Sequence, residues 1–261
     1  MISRAVLTGL LTRASLSLLR AQAPGRGQRL NHAGRALDLH AGPASALAGA
    51  IGIAQLKPGV GAAVLVAGAC GAYDDVFGAG DPRRGFRAHL SALRDGEVTS
   101  GAVKLFGVGA AGLLAGALLK ERAVDKLLAG VVVAGTAHFV NLVDVRPGRA
   151  VGAVLALGAP GLLRGGAARE LSAAAMGAAA AVLPDDVGER SMLGDTGAHA
   201  LGAALGAAIV AGNGRAGLVA HAAAVVGAAV YGDAVSEVAR SGARPALQCA
   251  ANTRTIAHPS G

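Results

Sequence analysis

Apolar and polar positions alternate along this chain in blocks. Apolar runs cover roughly 6–19, 41–56, 60–73, 99–119, 127–140, 150–163, 171–183, 198–211 and 216–231, and short charged stretches separate them. Blocks of this length predict helices buried all round rather than amphipathic surface helices. Most of the runs are 13 to 16 residues long. A helix that crosses a bilayer needs about 20. The flanking Gly, Ala, Ser and Thr residues can extend each helix by a turn. The pattern therefore predicts an all-α, polytopic integral membrane bundle of about nine transmembrane helices. Residues 1–235 form a single transmembrane domain in this reading, and 236–261 form a polar C-terminal tail. Arg4 precedes the first run, as in a signal peptide. The stretch Arg20–Arg35 is strongly basic and lacks a convincing A-x-A cleavage site, which favours a retained first helix.

Composition sharpens this picture. The chain has 261 residues, of which 53% are hydrophobic, 15% charged and 2% aromatic. A soluble domain carries about 25% charge. The 63 Ala and 41 Gly suit close helix–helix packing within a membrane. Disorder is excluded by the hydrophobicity. The formal charge is +8, but the 20 Arg and 4 Lys are scattered and have no interleaved aromatics. Nucleic acid is therefore not an expected partner. Cys70 lies in an apolar run far from Cys249, and there is no disulfide framework or zinc spacing.

Charge also orients the bundle. If the loops alternate sides, one side holds 14 Lys and Arg and the other 8. The positive-inside rule places the richer side, with residues 20–40, 74–98, 141–149, 184–197 and the tail, in the cytoplasm.

That same side collects the carboxylates. Asp74 and Asp75 close the third run, Asn141 and Asp144 close the fifth, and Asp195 opens the eighth. Acidic groups at membrane depth are candidate functional groups. Carboxylates converging on one aqueous face suit Mg²⁺, which takes one or two of them plus substrate phosphates. Arginines 83, 84, 87, 94, 146 and 149 could hold phosphate oxygens. The plainer reading is that each acidic cluster caps a helix or meets water at its end. Lys104 is, on the plainer reading, a snorkelling lysine. A transporter would place its charges near mid-span, whereas these lie at span ends.

The strings themselves resemble the polyprenyl-phosphate sugar-1-phosphate transferase family. These membrane enzymes are related to phospho-N-acetylmuramoyl-pentapeptide transferase and to the UDP-N-acetylglucosamine–undecaprenyl-phosphate transferase. The resemblance covers about Asn31 to Gly206. It rests on Gly42-Pro43, Asp74-Asp75, Lys104, Asn141-x-x-Asp144 and Gly194-Asp195-x-Gly197, in that order. It implies transfer of a phospho-sugar from a UDP-sugar to a polyprenyl (undecaprenyl-type) phosphate, with Mg²⁺ and release of UMP, for cell-envelope glycan synthesis. The expected setting is the cytoplasmic face of the plasma (inner) membrane, among membrane lipids, with a homodimer as the assembly it allows. By position, Asp195 and Asp75 look like metal ligands. Asp74, Asp75 and Asp144 look catalytic. Lys104, Asn141, Arg146, Arg149 and Gly194 look like substrate-binding residues. Pro147 stands where the family has a second motif aspartate, and Met192 where it often has an aromatic. The late histidine-rich loop has no clear counterpart. These departures leave open a non-catalytic paralogue that binds lipid phosphate or a partner.

Overall fold

A computed structural model describes residues 2–23, 27–78, 83 and 85–241. The chain is nearly all helical. It runs through α1 (Ile2–Gln22), a hairpin of β1 (Gln28–Leu30) and β2 (Ala36–Asp38), α2 (Ala41–Ala54), α3 (Pro58–Phe77) and α4 (Gly85–Arg94). It continues through α5 (Ser100–Leu119), α6 (Ala123–Val143), α7 (Arg149–Leu162), α8 (Gly166–Val187), α9 (Gly194–Ala211), α10 (Arg215–Val230) and α11 (Gly232–Ser241).

Each of the nine apolar runs has its own helix. Three helices, α3, α5 and α6, are long and apolar enough to cross a membrane, and the bent pair α10–α11, with 84° between its parts, makes a fourth if it counts as one span. This is fewer than the nine spans expected. Two of the shorter helices, α2 and α7, have 14 residues each. The longer α1 and α8 carry charges, among them Arg4, Arg13, Glu170 and Asp185. Alanine and glycine also lend a helix little hydropathy.

The core sits around α9, which packs against α2, α3, α5, α6, α7 and α8. Its residues are mostly Ala, Gly and Leu, and nearly all are buried. Small residues let the neighbours come close. A Cβ at Gly202 or Gly206 would run into the backbone of α6, and one at Gly42 or Gly197 would block the contact between α2 and α9.

The sequence pattern left three features unassigned. The loop after α1 contains the antiparallel hairpin, in which Arg29 pairs with Leu37. Two amphipathic helices, α4 and α11, lie within stretches expected to be loop or tail. Helix α11 crosses the expected domain boundary at 235, and the tail from 242 onward lies outside the described residues. Helix α8 runs past its apolar run to Val187. Its buried Asp185 there meets Arg13, Arg20 and Arg190. Two of those arginines are on α1, so the first helix is tied into the bundle.

Candidate active site

One end of the bundle gathers the C-terminal ends of α3, α6 and α8 and the N-terminal ends of α5, α7 and α9. Three of the four sequence motifs with charge meet at a single point there. Lys104, in the second turn of α5, donates to Asp74 Oδ2 at 2.5 Å and to Asp195 Oδ2 at 2.6 Å. All three side chains are largely buried, 16–20% exposed. At such depth paired charges are barely screened, and removing one partner leaves the others uncompensated. Thr99 starts α5 by accepting the Ala102 N–H, which sets the direction in which Lys104 leaves the helix.

Asp75 is adjacent in sequence but turned elsewhere. Its Oδ1 accepts the Asp195 N–H at 3.1 Å and Arg29 at 3.1 Å. Its Oδ2 accepts the Thr196 N–H at 2.9 Å and the Thr196 hydroxyl at 2.7 Å. The carboxylate thus sits on the N-terminus of α9, where backbone N–H groups and the helix dipole favour an anion. Gly194 has a left-handed φ of 61°, and a Cβ there would lie 3.0 Å from Asp75 Oδ2. Only glycine meets both demands without strain.

Asn141 lies on the last turn of α6 beside a groove between α5, α6 and α10. The groove has a volume of about 420 Å³. Leu105, Val108, Val131 and Val225 line it, together with the polar side chains of Lys104, Asn141, His89, His138 and His199. His89 reaches it from α4, where its Nδ1 is 3.0 Å from the Thr99 hydroxyl. His199 is buried one turn after Asp195 and donates from Nδ1 to the Asp195 carbonyl at 2.8 Å. The other ring nitrogen is then the acceptor. Sequence patterns missed these histidines because His138 and His199 fall singly within apolar runs and His89 stands alone in the charged stretch 74–98.

Asp144 and Arg146 line a second, smaller cavity of about 150 Å³ with Asn31, His32, Asp186 and Glu189. Burial pushes the Asp144 carboxyl up from its ordinary range, and the charges of Asp186, Asp195 and Asp75 push the same way. Asp186 accepts the Gly148 N–H at 2.7 Å, at the start of α7. Arg149 is half-buried as the first residue of that helix. Pro147 and Met192 also line this cavity. Arg83 pairs with Glu97 at 2.6 Å. Arg94 is exposed on α4, and Arg84 and the side chain of Arg87 lie outside the described residues.

The donor set fits a hard cation only in part from the protein itself. Among the described residues, no three His, Cys, Asp or Glu side chains form a metal-holding group. Asp74 and Asp195 supply two carboxylates, the number Mg²⁺ usually takes when substrate phosphates complete its shell. Searches of known families and of curated proteins match nothing to this chain.

Proposed function

We propose that this protein is a membrane-embedded, Mg²⁺-dependent transferase. It would move a phospho-sugar from a UDP-sugar to a polyprenyl phosphate and release UMP. The observation that carries the reading is the Asp74–Lys104–Asp195 cluster, whose Lys104 also lines a mainly apolar groove. Part of a polyprenyl chain suits the apolar lining of that groove, and its phosphate suits Lys104 and Asn141. On this reading about nine helices are embedded, the shorter ones shielded by their neighbours, and the cluster faces the cytoplasm.

The chemistry joins two anions. An oxygen of the lipid phosphate attacks the β-phosphorus of the UDP-sugar, a new P–O–P link forms, and the bond to UMP breaks. The lipid phosphate is already largely ionised at neutral pH, so little deprotonation is required. Lys104 offsets charge between the two phosphates. Asp74 and Asp195 orient the Lys104 ammonium and would hold Mg²⁺. When bound, that ion would neutralise the diphosphate and the developing charge on UMP. Asn141 binds from the lining of the groove. Asp144, Arg146 and Arg149 surround the side cavity, which is placed to take part of the donor.

A second reading has its own support. Lys104 already bridges both carboxylates, as it would in a lipid-phosphate-binding protein with no catalysis. Exchange of labelled UMP into a UDP-sugar, in membranes supplied with polyprenyl phosphate and Mg²⁺, separates the two. The transferase reading expects exchange in the wild type and its loss in Asp195→Asn. Absence of exchange across a panel of UDP-sugars, with lipid phosphate still bound, favours the second.

A further inference from the structure

We infer that Asp75 is a positioning residue rather than a metal ligand: it fixes Asp195 by capping α9 from a neighbouring helix, and Arg29 of the hairpin holds it in place. The inference rests on the transferase reading for the role of Asp195, but not for the cap itself.

Four donors meet the Asp75 carboxylate, two on each oxygen. An ionised carboxylate has about four lone-pair directions, so none is left to face a metal. The side chain is only 5% exposed, against 16% for Asp74 and 20% for Asp195. The demand for this cap comes from the local sequence. The residue preceding α9 is Leu193, which has no side-chain acceptor and makes no cap bond. The first N–H groups of α9 would otherwise be buried without partners. Gly71, one turn before Asp75 on α3, allows the approach, because a Cβ there would collide with the Asp195 backbone.

The hairpin secures the same segment from its other side. Asn31 and Arg35 both reach Glu189. The Met192 N–H donates to the Asp38 carbonyl at 2.8 Å, and Ser191 bonds the Asp38 carboxylate. Arg29 reaches Asp75 from β1. Residues 189–196 are therefore held between the hairpin and α3, and the Asp195 carboxylate projects from the end of that held segment.

The test uses the full chain in lipid nanodiscs, with amide hydrogen exchange over residues 191–200, Mn²⁺ binding followed by electron paramagnetic resonance, and UMP exchange kinetics. In Asp75→Ala the α9 N-terminal amides should exchange about five- to thirtyfold faster, the range expected when a cap is lost. Asp75→Asn keeps one acceptor oxygen and should restore part of that protection. Asp195→Asn should leave protection intact and abolish saturable Mn²⁺ binding, whereas Asp75→Ala should weaken that binding and not abolish it. Arg29→Met should follow Asp75→Asn in both readouts, with kcat reduced and KM for the UDP-sugar little changed. The inference is overturned if Asp75→Ala leaves the amides protected, or if it abolishes Mn²⁺ binding as Asp195→Asn does. If the wild type shows no UMP exchange, the transferase reading fails, while amide exchange and Mn²⁺ binding still decide the role of Asp75.

Discussion

Lys104 shows how one residue changes meaning when its surroundings are known. In the sequence it is a lone lysine five residues inside an apolar run. In the fold it is the cation between two carboxylates from helices α3 and α9. Lys104→Met would leave Asp74 and Asp195 side by side with no counter-charge. Breaking such a buried pair costs about 3 kcal/mol or more. Thermal melting should show that loss, and millimolar Mg²⁺ should raise the melting temperature of the variant more than that of the wild type. No differential effect of Mg²⁺ would mean the two carboxylates cannot share a divalent ion. Asp144 carries the opposite sign. Its carboxyl is raised in the folded chain, so folding favours the neutral acid. The penalty for its charge is fully present above the raised value and fades as pH falls through it to the ordinary carboxylate range. Asp144→Asn should therefore melt higher than the wild type at about pH 8 and lose that advantage towards about pH 4. An advantage that grows on acidification would contradict the shift.

At the scale of elements, the hydropathy pattern located nine of the eleven described helices because burial is written in consecutive apolar residues. It could not locate α8's true end. The apolar run stops at Leu183, yet the helix continues to Val187 because three arginines arrive to meet Asp185. No local pattern encodes a partner more than 160 residues away. The hairpin was invisible for a related reason: its strands have three residues each, too few for a period-two signal. Charge and spacing brought Asp74, Asp75 and Asp195 to one face correctly, but not the division of labour between Asp74 and Asp75. That division depends on which carboxylate lies over the backbone of α9. Asp185→Ala tests the clamp between α1 and α8. Removing this buried carboxylate takes a partner from three arginines that stay largely in contact with solvent, and should lower stability by about 1 kcal/mol. Protease cleavage near residues 20–30 should become faster in the variant, whereas a stable, uncleaved α1 would show that apolar packing alone retains it.

The whole molecule joins the end that carries the carboxylate cluster, where loops 27–40, 144–148 and 188–193 meet, to an opposite end held by simpler pairs such as Arg4–Glu170 and Arg215–Asp125. The alternating path of the helices makes the two ends separate faces, and Lys and Arg are unevenly shared between them. If the bundle is embedded, the positive-inside rule assigns the end with the carboxylate cluster to the cytoplasm. A charge bias alone gives only an orientation, but the cluster makes it consequential: UDP-sugars are cytoplasmic metabolites, so a transferase must expose Lys104 and Asp195 on that side. Single cysteines at Arg35, Val145 and Arg190, introduced with Cys70→Ala and Cys249→Ser, report that face. Single cysteines at Lys57, Arg122 and Arg215 report the other. An impermeant maleimide added to intact cells should label the second set only, and the first set should label after permeabilisation. Labelling of all six from outside would place the chain at a surface rather than across the membrane. Labelling of the first set alone would put the cluster on the wrong side for a UDP-sugar and end the transferase reading.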